Sequence, residues 1–252
     1  MRNIRIIPRL DIKGKNVINT VQLEGLRTVG SPNDLAKQYA NQCADELLII
    51  DQVASLYERN YILELINIFT KEIFIPITVG GGIKSVDDAK KILRSGADKI
   101  AVNTAAVLDP NLISKLMQEL GRQCVVISIP CKSNDNGGWE VQINGGREKT
   151  GLDAYEWAKE AVRLGAGELL ITSIDRDGTR KGFDLKLMKK FNNLNVPIIA
   201  SGGLGKLEHL QELLSASNCD AIASADFLHM KRGDIKAIKT NLLNLKFDIR
   251  YE

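Results

Sequence analysis

Short apolar stretches alternate along the chain with longer segments in which apolar residues recur at helical spacing. Continuous apolar stretches of four to eight residues are typical of strands covered on both faces, as in a parallel sheet with helices outside. The pattern therefore predicts eight strand–helix units. The eight strand-like stretches are RIIPRLDI, ELLIID, FIPITV, KIAVN, CVVISI, ELLITSID, VPIIAS and DAIAS.

The second half of the chain repeats the first. Residues 36–55 reappear 122 positions later as residues 158–177, and PITVGGGIK at 76–84 returns 121 positions later as PIIASGGLG at 197–205. A weaker echo links 95–106 to 217–228, again 122 positions on. A constant offset of half the chain indicates two copies of one supersecondary half, about 1–122 and 123–252. We expect an α/β fold, a (β/α)8 TIM barrel built from two half-barrels, as a single domain over 1–252.

Composition fits such a barrel and narrows the range of functions. A chain of 252 residues with 44% hydrophobic content is the usual size for this fold. A net charge of +3 gives no reason to expect nucleic acid or a membrane surface as a partner. There is no apolar run of membrane-spanning length and no signal-peptide pattern, so we expect a cytoplasmic protein.

Metal and cofactor binding are not expected from the residue types present. The four cysteines show no CxxC spacing, and the chain has only two histidines. Disulfides and a zinc site are therefore both disfavoured. No dinucleotide fingerprint is present either, since GGLGK lacks the GxGxxG spacing.

Two strand-to-helix connections are much longer than the others. Residues 13–32 follow the first predicted strand, and residues 131–151 follow the fifth. Because the loops at the carboxyl ends of barrel strands build the active site, both are candidate lids. The alternative is a small hairpin, since GGWEVQINGGR has the pattern of two short extended arms.

Glycine clusters close the third and seventh predicted strands. Gly80–Gly82 and Gly202–Gly203 each stand just ahead of a helix, where backbone N–H groups can converge on an anion. One such turn in each half predicts a ligand with a phosphate at each end. The alternative is that glycine only permits a tight turn.

Carboxylates end several predicted strands and are candidates for proton transfer. Asp11 ends the first strand and is followed by the long connection, which makes it the strongest candidate; Asp175 and Asp177 end the sixth. Partial burial at a barrel rim can bring a carboxyl pKa toward neutrality. A helix cap or an ion pair with Arg176 is the alternative.

In order along the chain, several strings resemble the cyclase subunit of imidazole glycerol phosphate synthase. They are RIIPxLDxK, DELLIIDxxAS, TVGGGI, GADKIAVNTAA, GAGELLITSIDRDGT and PIIASGGxGKxEH, and together they cover nearly the whole chain. The resemblance implies a (β/α)8 lyase of histidine biosynthesis without a cofactor. Such an enzyme takes ammonia from a separate glutaminase subunit in a heterodimer. It converts a bisphosphorylated ribulosyl-formimino nucleotide into imidazole glycerol phosphate and an aminoimidazole carboxamide ribotide.

The resemblance also implies roles for individual residues. Asp11 and Asp177 fall on acid/base positions, and Asp98 falls on the glutaminase interface. Positions that would contact substrate and its phosphates are Gly81, Gly82, Asn103, Thr104, Gly178, Thr179, Ser201, Gly202, Gly203 and Ser224. Four charges at the amino end of the barrel would form the ammonia gate, namely Arg5, Glu46, Lys99 and Glu168. The alternative for those four is a ring of ion pairs that stabilises the barrel, and both roles can hold together.

Three positions depart from the family pattern. Pro130 stands where the family has a second catalytic aspartate, and proline has no titratable group. Asn19 replaces a lysine of the first connection that would meet substrate, and Asp226 replaces a serine near the eighth strand's phosphate turn. A carboxylate at that turn would repel phosphate unless its side chain points away. Cys131, next to the lost aspartate, has no basic partner in sequence and is expected to be packed.

These departures leave three functional hypotheses. The first is the cyclase itself, with Asp11 doing most of the proton transfer. The second is a paralogue that keeps the ammonia channel and the glutaminase but amidates a surface-polysaccharide sugar, since VQLEGLRxxGSP resembles the first loop of such relatives. The third is a non-catalytic conduit that passes ammonia to another enzyme. The sequence does not name the ammonia acceptor.

Overall fold

The structure is a computed structural model that describes residues 3–52 and 60–250. The last three residues of the first repeat string, 53–55, lie outside this part of the chain. The strands are β1 Arg5–Lys13, β2 Asn16–Val21, β3 Glu24–Gly30, β4 Leu47–Asp51, β5 Ile77–Gly80, β6 Lys99–Val102, β7 Val125–Ser133, β8 Trp139–Ile143, β9 Glu148–Asp153, β10 Glu168–Ser173, β11 Ile198–Ser201 and β12 Ala221–Ser224.

Helices follow the barrel strands. They are α1 Pro32–Asn41, α2 Asn60–Glu72, α3 Val86–Arg94, α4 Thr104–Leu108, α5 Asn111–Leu120, α6 Ala154–Leu164, α7 Leu185–Lys190, α8 Glu208–Ala216, α9 Asp226–His229 and α10 Ile235–Asn244, with a 3₁₀ turn at Arg122–Cys124. On α6, for example, Ala154, Trp157, Ala158 and Ala161 are buried at helical spacing, which places one apolar stripe against the sheet. Among the helices described, none is long and apolar enough to cross a membrane.

Eight parallel strands close into a barrel in the order β1, β4, β5, β6, β7, β10, β11, β12 and back to β1. The first four belong to the first half of the chain and the last four to the second. The prediction of a (β/α)8 barrel made of two half-barrels is confirmed. The repeat boundary near residue 122 stays a prediction.

Side chains of each barrel strand point alternately into the lumen and outward under the helices. An inner cluster fills the middle of the lumen with Ile7, Leu48, Ala101, Val126, Leu170, Ile199, Ala221 and Ala223. Their strand neighbours, such as Ile6 and Leu169, belong to the outer cluster beneath the helices. Both faces of each strand are therefore buried, which explains the continuous apolar stretches in the sequence.

Both long connections are β-hairpins, which agrees with the alternative interpretation of the fifth connection. Strands β2 and β3 form the first hairpin, and β8 and β9 form the second. Each hairpin continues a barrel strand as an antiparallel ladder, with Asp11 opposite Ile18 and Cys131 opposite Val141. The two hairpins thus rise from the first strand of each half-barrel, at the carboxyl end where the active site is expected.

A buried ion pair fastens the last helix to the amino end of the barrel. Lys239 of α10 donates from Nζ to Asp45 Oδ1 at 2.9 Å, and Asp45 Oδ2 accepts from the Ile6 amide at 2.7 Å. Only 1% of the Lys239 side chain is exposed. The pair therefore joins α10, β1 and the segment before β4, and neither charge has access to water as a substitute partner.

Removing one member of this pair should destabilise the fold strongly. Lys239→Ala leaves the Asp45 carboxylate buried without its counter-charge, so we expect the free energy of unfolding to fall by about 3–5 kcal/mol. The matched control is Lys236→Ala on the exposed face of the same helix, which should change it by less than about 0.5 kcal/mol. Denaturant unfolding measures both, and equal effects would contradict the structural role of the pair.

Candidate functional site

The lumen of the barrel is organised in three levels. Four charged side chains occupy the amino end, the apolar inner cluster fills the middle, and Arg9 with Asp11 lies above it toward the carboxyl end. Residues of like parity on β1, namely Arg5, Ile7, Arg9 and Asp11, contribute to all three levels because side chains alternate along a strand.

The four charges at the amino end form a closed ring. Arg5 donates to both Glu46 and Glu168. Lys99 Nζ lies 3.0 Å from Glu46 Oε1 and 3.0 Å from Glu168 Oε2. Each cation therefore bridges both carboxylates, so the structure brings together the four residues singled out from the sequence. Their role as an ammonia gate stays a prediction, and the ring of stabilising ion pairs is present in either case.

Asp98 lies beside this ring, just before β6. Its side chain is exposed, and Oδ2 accepts from the Ile77 amide at 2.8 Å, which fixes the start of β5. The residue is thus at the amino face of the barrel, where the resemblance puts the glutaminase. Its part in an interface stays a prediction.

Arg9 is the central residue of the upper lumen, and sequence reasoning missed it. The residue is 5% exposed, and its guanidinium donates to Asp11 Oδ1 from Nε at 3.1 Å and from Nη2 at 3.0 Å. Nη1 lies 3.3 Å from the hydroxyls of both Thr172 and Ser201, so the side chain spans from β1 to β10 and β11. The sequence does show a charged residue within an apolar strand, two positions before Asp11 and so on the same face of β1.

The charge of Arg9 is secured by the carboxylates around it. Burial alone would lower the pKa of Arg9. The carboxylates of Asp11 and Asp177 together raise it by more, so the pKa lies above the ordinary value. The backbone of Arg9 is held as well, because its carbonyl oxygen lies 3.1 Å from His229 Nε2. Tyr39 OH lies 2.7 Å from the other ring nitrogen, Nδ1. Burial lowers the pKa of His229, which favours a neutral ring that donates to the Arg9 carbonyl and accepts from Tyr39.

Asp11 is consequently an ion-pair partner in this structure. Its Oδ1 accepts from Arg9 and, at 2.7 Å, from Gln52 Nε2, and the residue is only 2% exposed. The position predicted as the main proton-transfer group thus holds a carboxylate that neutralises a buried cation. That catalytic role stays a prediction.

A narrow cleft opens above Arg9 at the carboxyl end of the second half-barrel. Five residues expected to contact substrate line it: Gly178, Ser201, Gly202, Gly203 and Ser224. Arg9, Asn19, Thr20, Asp177 and Asp226 complete its polar lining. The cleft is therefore surrounded by the connections that follow the first, sixth, seventh and eighth barrel strands, which are β1, β10, β11 and β12.

Asp177 is one of two carboxylates that line the cleft, and Arg9 acts on it electrostatically. It is 8% exposed, and its Oδ2 accepts from two uncharged donors, the Thr20 hydroxyl at 3.1 Å and the Leu23 amide at 3.2 Å. Burial raises the pKa of this carboxyl above its ordinary value; Arg9 opposes the rise and Asp11 adds to it. A lining carboxyl with a raised pKa is suited to exchange protons with a bound ligand.

The first hairpin closes over this cleft. Besides the two bonds to the Asp177 side chain, the Gln22 amide donates to the Asp177 carbonyl at 2.9 Å. A Cβ on Gly178 would lie 2.3 Å from the Thr20 carbonyl oxygen. Only glycine therefore allows the hairpin to approach the connection after β10 this closely. The second hairpin meets the first where Gly146 faces the Leu23 side chain. Both hairpins therefore lie over the cleft.

Two of the departures from the family pattern contact each other in this cleft. Asn19 Nδ2 donates to Asp226 Oδ1 at 2.9 Å. Arg180 forms two bonds to the same carboxylate, at 2.8 and 3.0 Å, and Arg232 Nε lies 3.4 Å from Oδ2. Burial acts to raise the pKa of Asp226, but these donors outweigh it and lower the pKa, so the group is an anion at neutral pH.

The first-half residues that were expected to contact the ligand make other contacts in this structure. Asn103 Nδ2 donates to the carbonyls of Ser128 and Gln142, and Thr104 Oγ1 accepts from the Asn144 amide, so the pair anchors the second hairpin. At Gly81 a Cβ would lie 2.3 Å from the Asp51 carbonyl oxygen, so glycine is required by the close packing of this turn. Gly81, Gly82, Asn103 and Thr104 do not line the cleft.

Thr179 is likewise occupied within its own loop. Its hydroxyl donates to the Arg176 carbonyl at 2.7 Å and stabilises the turn that follows Asp177. Ligand contacts by Thr179 and by the four residues of the first half stay predictions.

Pro130 and Cys131 end the fifth barrel strand next to this level of the lumen. Pro130 is buried opposite Thr172 and shares the parity of lumen-facing Val126. The position that could have supplied a second carboxylate is therefore apolar. Burial strongly raises the pKa of the Cys131 thiol, and its sulfur lies 3.6 Å from the Thr172 carbonyl oxygen, so the thiol is packed and unreactive.

No cluster of three or more histidine, cysteine or acidic side chains suited to a metal occurs within the described ranges 3–52 and 60–250. The residues that line the cleft offer carboxylates, a guanidinium, hydroxyls and backbone amides. Such groups can bind a polar ligand and move protons.

Comparison with known proteins agrees with this architecture. A family model described as "Histidine biosynthesis protein" matches residues 5–234. Proteins named "Imidazole glycerol phosphate synthase subunit HisF" are similar over most of their length. The one from Legionella pneumophila is 56% identical over 209 residues, which are 82% of this chain and 99% of that protein. Those from Clostridium botulinum (strain Okra / Type B1) and Lactococcus lactis subsp. cremoris (strain SK11) are 45% and 44% identical, each over 98% of this chain and 98% and 96% of their own length.

The buried state of Asp177 has a measurable effect on stability. Because its pKa is raised in the folded protein, the stability that it contributes is present at low pH and is lost as pH rises through the folded pKa. Asp177→Asn, which keeps an acceptor for Thr20 and Leu23, should therefore be more stable than wild type by about 1 kcal/mol near neutral pH. The gain should disappear as pH approaches about 4.

Thermal unfolding across this pH range measures the effect. Asp135→Asn, at the exposed turn between β7 and β8, is the matched control and should show no such trend. A constant difference at all pH values would mean that Asp177 is not a carboxyl with a raised pKa.

Proposed function

The chain belongs to the histidine biosynthesis protein family, and from this we propose that it is the cyclase subunit of imidazole glycerol phosphate synthase. In this reaction ammonia attacks a bisphosphorylated ribulosyl-formimino nucleotide, and the products are imidazole glycerol phosphate and an aminoimidazole carboxamide ribotide. High identity to HisF subunits over almost the whole chain supports the assignment. The protein is an ammonia-dependent lyase of histidine biosynthesis.

The observation that carries the proposal is the ordering of groups along the barrel axis. A ring of alternating charges lies at one end, an apolar level follows, and a cleft with a carboxylate of raised pKa lies at the other end. An uncharged ammonia molecule can cross an apolar level at far lower cost than ammonium, whose dehydration is expensive. The ring would then select and admit the neutral molecule delivered at the amino face.

We assign the partner to that amino face. A glutaminase subunit docked over Arg5, Glu46, Lys99 and Glu168 would release ammonia directly into the lumen, with Asp98 at the interface. The family name of the relatives, a synthase subunit, supports a heterodimer of this kind. Both partners would work in the cytoplasm, where histidine is made.

Substrate would occupy the cleft at the carboxyl face. Ser201–Gly203, Gly178 and Ser224 supply hydroxyls and amides there, and Arg9 supplies a cation from below. The first-half turn at Gly81 and Gly82, together with Asn103 and Thr104, would receive the opposite end of the ligand. This second contact requires the two hairpins to shift, because Asn103 and Thr104 now hold the second hairpin.

We assign the proton-transfer role to Asp177. It lines the cleft and its hydrogen-bond donors are uncharged, whereas Asp11 is bound by the Arg9 guanidinium and does not line the cleft. Asp11 would instead hold Arg9 in place and balance its charge.

A specific observation favours a second candidate. Pro130 removes one carboxylate from the family's catalytic set, and the lumen offers no substitute for it among the described residues of β7. A paralogue that passes ammonia to a surface-polysaccharide sugar would not need that carboxylate, and neither would a plain ammonia conduit. These candidates predict no cyclisation of the nucleotide by the purified chain, even with free ammonia.

The gate hypothesis is tested by opening the ring. Lys99→Ala leaves Arg5 as the sole cation between two carboxylates, so ammonia delivery should fail while the cleft stays intact. We expect glutamine-dependent turnover to fall severalfold and turnover with saturating free ammonia to stay near the wild-type value. Lys90→Ala, which breaks an exposed pair with Glu119, is the control. Equal loss of both activities would indicate that the ring is only structural.

The proton-transfer assignment is tested by comparing two isosteric substitutions in the ammonia-dependent reaction. Asp177→Asn should lower kcat by about 10²- to 10⁴-fold without loss of fold, as expected when a general acid or base is removed. Asp11→Asn should chiefly lower the free energy of unfolding, by about 3 kcal/mol, because it leaves Arg9 buried without its partner. Full turnover by Asp177→Asn, with no turnover by folded Asp11→Asn, would reverse the two roles.

A further inference from the structure

His209, near the start of α8, is a buried histidine beside the glycine turn that follows β11. It is 6% exposed, and its Nδ1 accepts from the Gly205 amide at 3.2 Å. Gly202 and Gly203 of the same turn line the cleft. The imidazole ring therefore holds one end of the turn whose other end faces the ligand-binding space.

The same ring packs against the connection that follows β10. A Cβ on Gly182 would lie 3.4 Å from Cδ2 of His209, an ordinary van der Waals distance, so the ring covers the Gly182 backbone. The Gly182 amide donates to the Gly203 carbonyl at 2.9 Å, and a Cβ on Gly203 would lie 2.2 Å from the Gly182 carbonyl oxygen. His209 thus acts on Gly203 from two directions, through Gly205 and through Gly182.

The backbone of Arg180 shows how tightly these connections are packed. A Cβ on Gly205 would lie 2.3 Å from the Arg180 carbonyl oxygen, and Arg180 has a φ of 64°, in the left-handed region that residues other than glycine rarely adopt. Its side chain reaches Asp226, after β12. Because a strained residue persists only where surrounding contacts enforce it, loss of the His209 contacts should let this packed unit relax.

The contact with Gly205 requires the neutral form of His209. Nδ1 can accept from the amide only while it carries no proton, so the ring proton is on Nε2. An imidazolium ring would place two donors face to face. Burial lowers the pKa of His209 below its ordinary value, which favours the neutral ring at physiological pH.

Charged side chains around the ring partly oppose one another. Glu212 and Glu208 of α8 act to raise the pKa of His209, whereas Lys206 acts to lower it. On the connection after β10, Arg180 is paired with Asp226 and Lys181 is exposed.

We propose that His209 is a positioning residue for the turn after β11: its neutral ring holds the backbone in the geometry in which Gly202 and Gly203 donate to a phosphate of the substrate, and protonation of the ring releases that geometry. The proposal rests on the proposed use of this turn for one of the two phosphates. It adds a control by pH, since anion binding at the turn should weaken as pH falls through the titration of His209.

Binding of inorganic sulfate tests this without any measurement of turnover. Sulfate keeps its double charge throughout the pH range needed, unlike phosphate, whose second pKa is about 6. The backbone amide signals of Gly202 and Gly203 are followed by NMR at fixed ionic strength. At about pH 8, where the ring is neutral, His209→Leu should bind sulfate about three- to tenfold more weakly than wild type, the effect of one lost hydrogen bond.

A conservative variant separates positioning from packing. His209→Asn should bind sulfate as tightly as wild type at about pH 8, because Asn Oδ1 lies as many bonds from the backbone as Nδ1 and can accept from Gly205. Gln211→Leu, on the exposed face of the same helix, is the matched control and should also behave as wild type.

The pH dependence is measured as a ratio of affinities. At about pH 5 wild type should bind sulfate at least about threefold more weakly than His209→Asn, since only the wild-type ring gains a proton. Protonation of Asp177 in the same cleft affects both proteins alike, so it cancels in this ratio. A ratio that stays constant between the two pH values would overturn the role of the ring's protonation state.

Two other results would also overturn the proposal, and they differ in what else they contradict. If His209→Leu melts at a lower temperature but binds sulfate as tightly as wild type, His209 is purely structural, and the turn remains an anion site. If wild type shows no saturable sulfate binding at Gly203 at about pH 8, the proposed use of this turn for phosphate fails together with the role of His209.

Discussion

A buried guanidinium in the upper lumen is the constraint on which the site depends. Arg9 is enclosed by the barrel, so its charge has to be balanced by protein groups, and a buried cation without a partner would be strongly destabilising. Asp11 supplies the balancing carboxylate, and Thr172 and Ser201 accept the remaining donor. The neutral His229 ring fixes the backbone of Arg9 from behind. Each of these residues is therefore positioned by the need to accommodate one charge.

This arrangement sets different environments for two carboxylates that the sequence places at the ends of barrel strands. Asp11 is bound by the guanidinium, whereas Asp177 is held by a hydroxyl and an amide of the first hairpin. Burial raises the pKa of the Asp177 carboxyl, and the hydrogen bonds from Thr20 and Leu23 offset only part of that rise. The same hairpin reaches Asp226 through Asn19, so closure over the cleft and the charge pattern within it are linked.

Much of the fold follows from patterns in the sequence. The continuous apolar stretches and the repeat of half the chain length predict the eight strands and their closure, because both signals reflect burial on two faces and internal symmetry. The ring of Arg5, Glu46, Lys99 and Glu168 was also identified, through the resemblance. Less could be predicted where a contact depends on register between distant strands. Arg9 meets Ser201 across 192 residues, and Asn19 meets Asp226 across 207.

The glycine turns show the same limit. Gly202 and Gly81 occupy equivalent positions in the two halves, yet only the second-half turn lines the cleft, while the first-half turn packs against the end of β4. Sequence symmetry predicts equivalent backbones, but the side chains delivered by the two hairpins differ. Asn103 and Thr104, which matched ligand positions, are held by the second hairpin for this reason.

A carbon-13 NMR titration of the aspartate carboxyls tests the central claim most directly, because it assigns a protonation state to each carboxyl in the folded protein. We expect one aspartate to titrate clearly above the ordinary aspartate range, and its signal should be absent from Asp177→Asn and present in Asp135→Asn. If the signal with the raised pKa persists in Asp177→Asn, or if every aspartate titrates in the ordinary range, then Arg9 does not separate the roles of the two carboxylates.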